Sequence, residues 1–133
     1  MAEQSVKTND GYVIHYNAVN NDFLNPETAK TYQITRSKYR AFLMVSVKSV
    51  KTDDNKSQAV PAKVTAQAVN LAGQLKTLKM REIVEGSADS KAIYYIGDFR
   101  FSNQETLIFT VRVDSAYRGS EYTFEFVQQF FVN

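Results

Sequence analysis

The 133-residue chain contains no cysteine and no tryptophan, and only one histidine, two prolines and five glycines. Without cysteine, disulfides, thiolate metal ligands, cysteine nucleophiles and a lipidated N-terminal cysteine are excluded. The same absence does not by itself assign a compartment. With His15 alone, multi-histidine metal centres are excluded, and a Ser-His-Asp triad would have to be built around that one residue. No Gly-x-Ser-x-Gly elbow is present to raise a nucleophile. Gly11, Gly73, Gly86, Gly97 and Gly119 are too scattered for a phosphate loop, and all but Gly97 fall at turn positions. The longest apolar run, Ala41 to Val45, is far too short to cross a bilayer, and no segment resembles a secretory h-region. Met1-Ala2 fits either a native start or a start placed where a removed signal peptide once ended.

What is present is aromatic and moderately charged. Nine Phe and eight Tyr, 44% hydrophobic residues and 23% charged residues describe a chain that folds, because a disordered chain lacks such apolar mass. At this length one core forms without staples, so residues 10–133 are expected as one domain behind a flexible segment 1–9. Net charge is +2 but unevenly placed: eight Lys and Arg from Lys30 to Lys63 against Asp53 and Asp54 make that stretch +6 and the remainder −4. Such a stretch can meet an anionic partner, yet Lys48, Lys51 and Lys56 flank a polar turn and read as solvated, so nucleic acid is not expected.

The C-terminal half carries the clearest pattern. Ile93, Tyr95, Phe99 and Phe101 alternate with Tyr94, Asp98 and Arg100; Leu107, Phe109, Val111 and Val113 alternate with Thr110, Arg112 and Asp114; Tyr122, Phe124, Phe126, Phe130 and Val132 share a third such face. Period-two patterning predicts three neighbouring antiparallel strands with one buried face. Gly97 occupies an inward position, which predicts a bulge or a close approach by another group.

Upstream, Asp10-Gly11 signals a turn and Tyr12 to Val19 alternates as a strand. Asn25-Pro26-Glu27 has the order of an N-cap, a first-turn proline and an acidic first-turn residue, predicting a short helix over residues 26–32. Its Ala29 and Tyr32 would seal one end of the core, with Phe23 or Leu24 as a staple. Ala41 to Val50 is apolar on both faces at its start, which predicts a central strand. Asp53-Asp54-Asn55 lacks calcium-loop spacing and reads as a turn. A third strand follows over residues 60–70 with Pro61 at an edge or first ladder position, and a fourth over Leu75 to Val84.

About seven strands with no βαβ rhythm predict an all-β, immunoglobulin-like antiparallel β-sandwich, with a small barrel second. The runs Asp10-Gly11-Tyr12, His15-Tyr16-Asn17-Ala18, Phe23-Leu24-Asn25-Pro26-Glu27, Ile34-Thr35-Arg36-Ser37, Asn70-Leu71-Ala72-Gly73-Gln74, Arg81-Glu82-Ile83 with Glu85-Gly86, Ile93-Tyr94-Tyr95-Ile96 and Phe99-Arg100-Phe101-Ser102-Asn103 give the chain a resemblance over nearly its whole length. It resembles an uncharacterised family of small exported proteins from Gram-negative, gammaproteobacterial bacteria, known only as a domain of unknown function. The resemblance implies an immunoglobulin-like all-β fold and a periplasmic setting after signal removal. It carries no activity, cofactor or catalytic residue.

Candidate site residues follow from single features. Strict alternation points Glu82 inward, where a carboxylate needs a partner that Arg36, Arg40 or Arg100 would supply; the competing reading is a structural ion pair or a bulge. Tyr94, Tyr117 and Tyr122, with Arg100 and Arg118 near in sequence, read as a stacking or contact face, or as packing residues. The irregular segment Asn20 to Arg40, with Phe23, Asn25, Arg36 and Arg40, is the expected recognition surface, since loops on rigid scaffolds carry function. The expected function is therefore a non-enzymatic, exported binding or accessory module that contacts an envelope protein or peptide and needs no cofactor. The alternative is a small-molecule or lipid carrier with a cavity between the sheets near Gly97, Ala62, Ala66 and Ala68. Oligomeric state is not readable from the chain.

Overall fold

A computed structural model of the chain describes residues 4–8, 10–50, 57–86 and 91–132. The expected turn at Asp53, Asp54 and Asn55, with Lys51 and Lys56, and the loop residues Ser87 to Asp89 lie outside the described residues. Among the described residues ten strands form two antiparallel sheets, with one short helix, so the expected sandwich is found with three more strands than the pattern suggested. The strands are β1 (Gln4–Lys7), β2 (Tyr12–Asn20), β3 (Arg40–Val50), β4 (Ser57–Ala59), β5 (Ala62–Asn70), β6 (Leu75–Leu78), β7 (Arg81–Glu85), β8 (Ala92–Arg100), β9 (Glu105–Ser115) and β10 (Glu121–Phe130). The helix α1 is Pro26–Thr31, preceded by a 3-10 turn, Asn21–Phe23.

The first sheet has the order β1-β2-β3-β8-β7, and β4 pairs with the far end of β3. The second has the order β10-β9-β5-β6. Three expectations are corrected here. The last three strands do not share a sheet: β8 belongs to the first, β9 and β10 to the second, and residues 101–104 carry the chain across. All three turn their apolar side into the same core from opposite layers, and alternation reads the same from either. The stretch Leu75 to Val84 is likewise two strands, β6 in the second sheet and β7 in the first, with Lys79 and Met80 between them. Residues 4–7 of the N-terminal segment, expected to be flexible, pair with β2 as β1. Pro61 stands just outside β5, where its missing N–H costs no ladder bond.

Between the sheets lies the main core, built from the inward positions of β2, β3, β5, β8, β9 and β10. Phe109 stacks on Phe126 at 4.6 Å, and Phe99 and Phe130 meet edge to face at 5.3 Å. Gly97 keeps its place in an unbroken ladder opposite Leu43, so there is no bulge. A Cβ there would stand 2.5 Å from Met80 Sδ and 3.3 Å from Leu78 Cβ, so the crossover between the sheets packs directly on the bare backbone. The space that a carrier cavity near Gly97 would need is occupied by Met80.

A second, smaller cluster lies on the outer face of the first sheet. Ile34, Phe42 and Ile96 are buried there against Val19, Leu24, Tyr32, Met44, Ile83 and Tyr94. The segment from Asn20 to Tyr39 covers this face, which is why β3 is apolar on both sides. The helix therefore does not seal an end of the main core. Its buried residue, Ala29, lies within the strap that this segment forms.

Candidate binding surface

Residues 20–39 form the longest irregular stretch among the described residues, and each of its turns is tied to a neighbour. Asn25 caps α1 with its Oδ1, which accepts from the Thr28 N–H at 2.8 Å, and Pro26 supplies a helical φ where no N–H is needed. The helix ends when Gln33 turns left-handed, φ 57°; its N–H donates to Lys30 C=O, and the Ile34 N–H reaches Ala29 C=O at 2.8 Å. That closure buries Ile34 and Ala29 together. Arg81 of β7 then donates to the carbonyls of Tyr32 and Gln33, placing a cation at the negative end of the helix. Tyr32 bonds the Glu85 side chain, and this bond, with burial, pushes its phenol up to about 12.

Further along, Asn21, fully buried, donates to Thr35 C=O at 2.8 Å, and Arg36 Nε donates to Leu24 C=O at 2.9 Å. The Phe101 N–H donates to Tyr39 C=O at 2.8 Å, joining the strap to the sheet. Asn21 Oδ1 and Asp22 Oδ1 are buried with no donor among the described residues, a local conflict of the kind that recurs at functional segments.

On this braced segment Phe23 is 64% exposed and Tyr39 48%. Arg36, Lys38 and Arg100 are exposed as well. Arg40 sits directly opposite Arg100 across β3 and β8, a like-charge pairing that costs stability in a sheet. One of the two is neutralised: Arg40 Nε and Nη2 both donate to Asp98 Oδ2, at 3.0 and 2.8 Å. The other, Arg100, is exposed and has no acidic partner among the described residues, one position before Phe101, whose N–H donates to Tyr39 C=O.

Of the sequence-predicted residues, Phe23, Asn25 and Arg36 lie on the strap, with Asn25 committed to the cap, and Arg40 and Arg100 stand opposite each other on β3 and β8. Tyr94 is half-buried and packs against the second cluster beside the strap. Glu82 is on the other face of β7. It does point toward the core side, but β7 is an edge strand, so its carboxylate is exposed, and its partner is no arginine. The buried Tyr95 hydroxyl donates to Glu82 Oε2 at 2.9 Å and accepts from the Ala62 N–H at 2.7 Å, linking the two sheets. Burial is the main reason the Tyr95 phenol is held well above its ordinary range, with the Glu82 bond adding to it.

The expected tyrosine face also separates. Tyr94 is beside the strap, Tyr122 packs on Phe124 in the main core, and Tyr117 stands at the tip of the β9–β10 hairpin. Arg118 is not near Arg100: it pairs with Asp10, and its guanidinium carbon lies 5.0 Å from the Tyr12 ring centre. His15 lies on β2 opposite Ser5 and Ser46, half-buried. Among the described residues no three His, Asp or Glu side chains converge as a metal site, and no helix is long and apolar enough to cross a membrane.

These features define a class: a two-layer antiparallel sandwich whose one outer face is covered by a braced, largely irregular strap. The chain belongs to the family described as Domain of unknown function (DUF4426), whose model matches residues 6–133. It is similar to the crystal structure of a DUF4426 family protein from Pseudomonas aeruginosa, with a TM-score of 0.79 and 32% identity, over 98% of this chain and 96% of that one. No curated protein sequence matches it.

Proposed function

We propose that this protein is a non-enzymatic binding or accessory module, exported to the periplasm, whose strap contacts an acidic segment of another envelope protein or peptide. The observation that carries the reading is the combination of exposed rings and uncompensated cations on a segment whose backbone is already held. Phe23 and Tyr39 offer apolar area at low entropic cost, and Arg36 and Arg100 offer fork-shaped donors for carboxylates. Bracing by Asn25, Arg36 and Arg81 means that little ordering remains to be done on binding. The periplasmic setting rests on the resemblance to small exported proteins. The carrier alternative is weakened because Met80 and Leu78 lie against Gly97.

The test is crosslinking and native mass spectrometry of tagged protein recovered from an exporting host, with wild type beside a Phe23→Ala, Tyr39→Ala, Arg100→Glu variant. The expected result is a reproducible second polypeptide whose recovery drops at least about tenfold in the variant, as for loss of central ring and arginine contacts. Undiminished recovery with the variant would overturn the surface, and a small bound mass without a polypeptide would revive the carrier.

A further inference from the structure

The sandwich treats its sheet edges unequally. In the first sheet the edges are β1, four residues ending in Lys7; β7, five residues with Arg81, Glu82 and Glu85; and the three-residue β4. In the second sheet β6 is only four residues long. Short, charged edges discourage the addition of a foreign strand. The remaining edge, β10, runs for ten residues, Glu121-Tyr-Thr-Phe-Glu-Phe-Val-Gln-Gln-Phe130, without Pro, Gly or Lys. It pairs with β9 residue for residue from Glu121 opposite Asp114 to Phe130 opposite Glu105, with no bulge to twist it away. Among the described residues no strand pairs with its other side; only near its end is it tied to β2, where the Gln128 side chain donates to Ala18 C=O at 3.0 Å and the Asn20 side chain donates to Phe131 C=O at 2.8 Å. In an antiparallel ladder alternate residues direct both N–H and C=O away from the partner strand, so about half of the β10 backbone groups face outward.

We infer that β10 is a dimerisation edge, joined antiparallel to β10 of a second copy across a two-fold axis at Phe126. The charge pattern selects the register. A strand over residues 121–130 overlaps its own copy most fully with the axis at residue 125 or 126. Centred on Glu125, the carboxylate would face the partner's Glu125. Centred on Phe126, Glu125 faces the partner's Val127, Thr123 faces the partner's Gln129, and Phe124 faces the partner's Gln128. No like charges meet in that arrangement. An axis at Thr123 would set Glu121 against the partner's Glu125 and shorten the overlap. The two-fold closes on itself and leaves the merged sheet with only the short β6 strands at its ends. A second copy fits this edge because the strand is complementary to itself without any change of residue.

A competing contact uses the outer face of the same sheet, where Leu75, Val69, Ile108 and Val127 stand in one row across all four strands. Val127 belongs to both surfaces and is 62% exposed, so changing it removes nothing from the core. That makes it the discriminating position. Sedimentation equilibrium of the purified chain is expected to show a reversible dimer. Val127→Glu sets two carboxylate pairs against Glu125 and should raise the dimer Kd by about tenfold or more, whereas Val127→Lys sets two opposite-charge pairs there and should leave it unchanged or tighter. Far-UV circular dichroism should be the same for all three. A monomer at every concentration, or equal dissociation by both variants, overturns the edge dimer, and the second result assigns self-association to the apolar row.

Discussion

The two ends of the sandwich are closed by different chemistry. At the end where β2 finishes and β8 gives way to residues 101–104, the seal is phenylalanine: Phe99, Phe101, Phe109 and Phe130 are all buried and in ring contact. At the opposite end, where β2 and β10 begin, tyrosines join Phe124 and Phe126. Tyr16 packs on Phe124 at 4.7 Å, Tyr122 packs beside it, Tyr12 lies under Arg118, and Tyr95 spans the layers through its hydroxyl. Phenylalanine closes a layer by area alone. Tyrosine closes it with a polar atom that must be satisfied, so that end is held by a few directional bonds.

The largest expected effect is at the phenylalanine end. Phe130 is 1% exposed and touches Phe99, Phe101 and Phe109, so Phe130→Ala removes a ring from the middle of a packed set. Urea unfolding should show a loss of about 3–5 kcal/mol, the range for a buried aromatic truncated to alanine. Tyr122→Ala at the other end removes a ring that is only half-buried and should cost less. Equal losses would mean that the two ends are packed alike.

Second in size is Tyr95→Phe. The ring remains, but the Ala62 N–H loses its acceptor and Glu82 loses its donor. Leaving a buried N–H unpaired costs about 1–3 kcal/mol. The same change should alter the pH response. A phenol whose pKa is raised in the folded chain stabilises the fold fully below its unfolded value near 10, and that contribution is lost as pH rises toward the folded value. Burial raises Tyr16 as well. Wild type should therefore lose stability above about pH 10, and Tyr95→Phe should show a shallower alkaline slope. Both ends respond on the acid side: at the tyrosine end the Thr8 hydroxyl bond, helped by Arg118, holds the exposed Asp10 carboxyl below its usual range, and at the phenylalanine end Glu105 is lowered as well. Burial works to raise the Glu105 carboxyl, but bonds from Asn70 and the Ser102 N–H and the charge of Lys76 outweigh it and hold it below the usual carboxylate range, so its contribution is present above the unfolded carboxylate value and lost as pH falls through the lower folded one. Thermal unfolding across pH, for wild type and Tyr95→Phe, checks both slopes.

These differences mark what the residue pattern can carry. Alternation identified which side chains of β8, β9 and β10 turn inward, because a slip by one residue would expose every Phe. It did not tell which layer each strand joins, since both layers face one core. The Asn25-Pro26-Glu27 cap was legible because it is local, and the expected close approach at Gly97 proved to be Met80 and Leu78. The braces of the strap were not legible. Arg81 reaches carbonyls 48 and 49 residues away, and Tyr95 meets Ala62 only because two sheets face each other. Glu82 read as a buried acid because alternation specifies a face but not distance from the edge.

The smallest expected effect concerns the hairpin at the tyrosine end, between β9 and β10. Ala116 and Tyr117 both adopt left-handed backbone, φ 60° and 56°, where a Cβ is disfavoured and glycine, or next asparagine, is the usual choice. The surroundings hold the turn there: the Ala116 N–H donates to Pro61 C=O at 2.8 Å, and the buried Asp114 carboxylate accepts from the N–H groups of Arg118 and Gly119. Tyr117 itself is 60% exposed, so its ring returns little burial for the strain. Replacing the pair, Ala116→Asn with Tyr117→Gly, should raise stability by about 1 kcal/mol in urea unfolding, because glycine adopts this backbone without a Cβ clash. The single variant Tyr117→Phe, which keeps the strain, should change nothing measurable. If the double variant is instead less stable, the Tyr117 side chain supplies a contact worth more than its backbone costs, and the tyrosine end is held by its hairpin tip as well as by Tyr95.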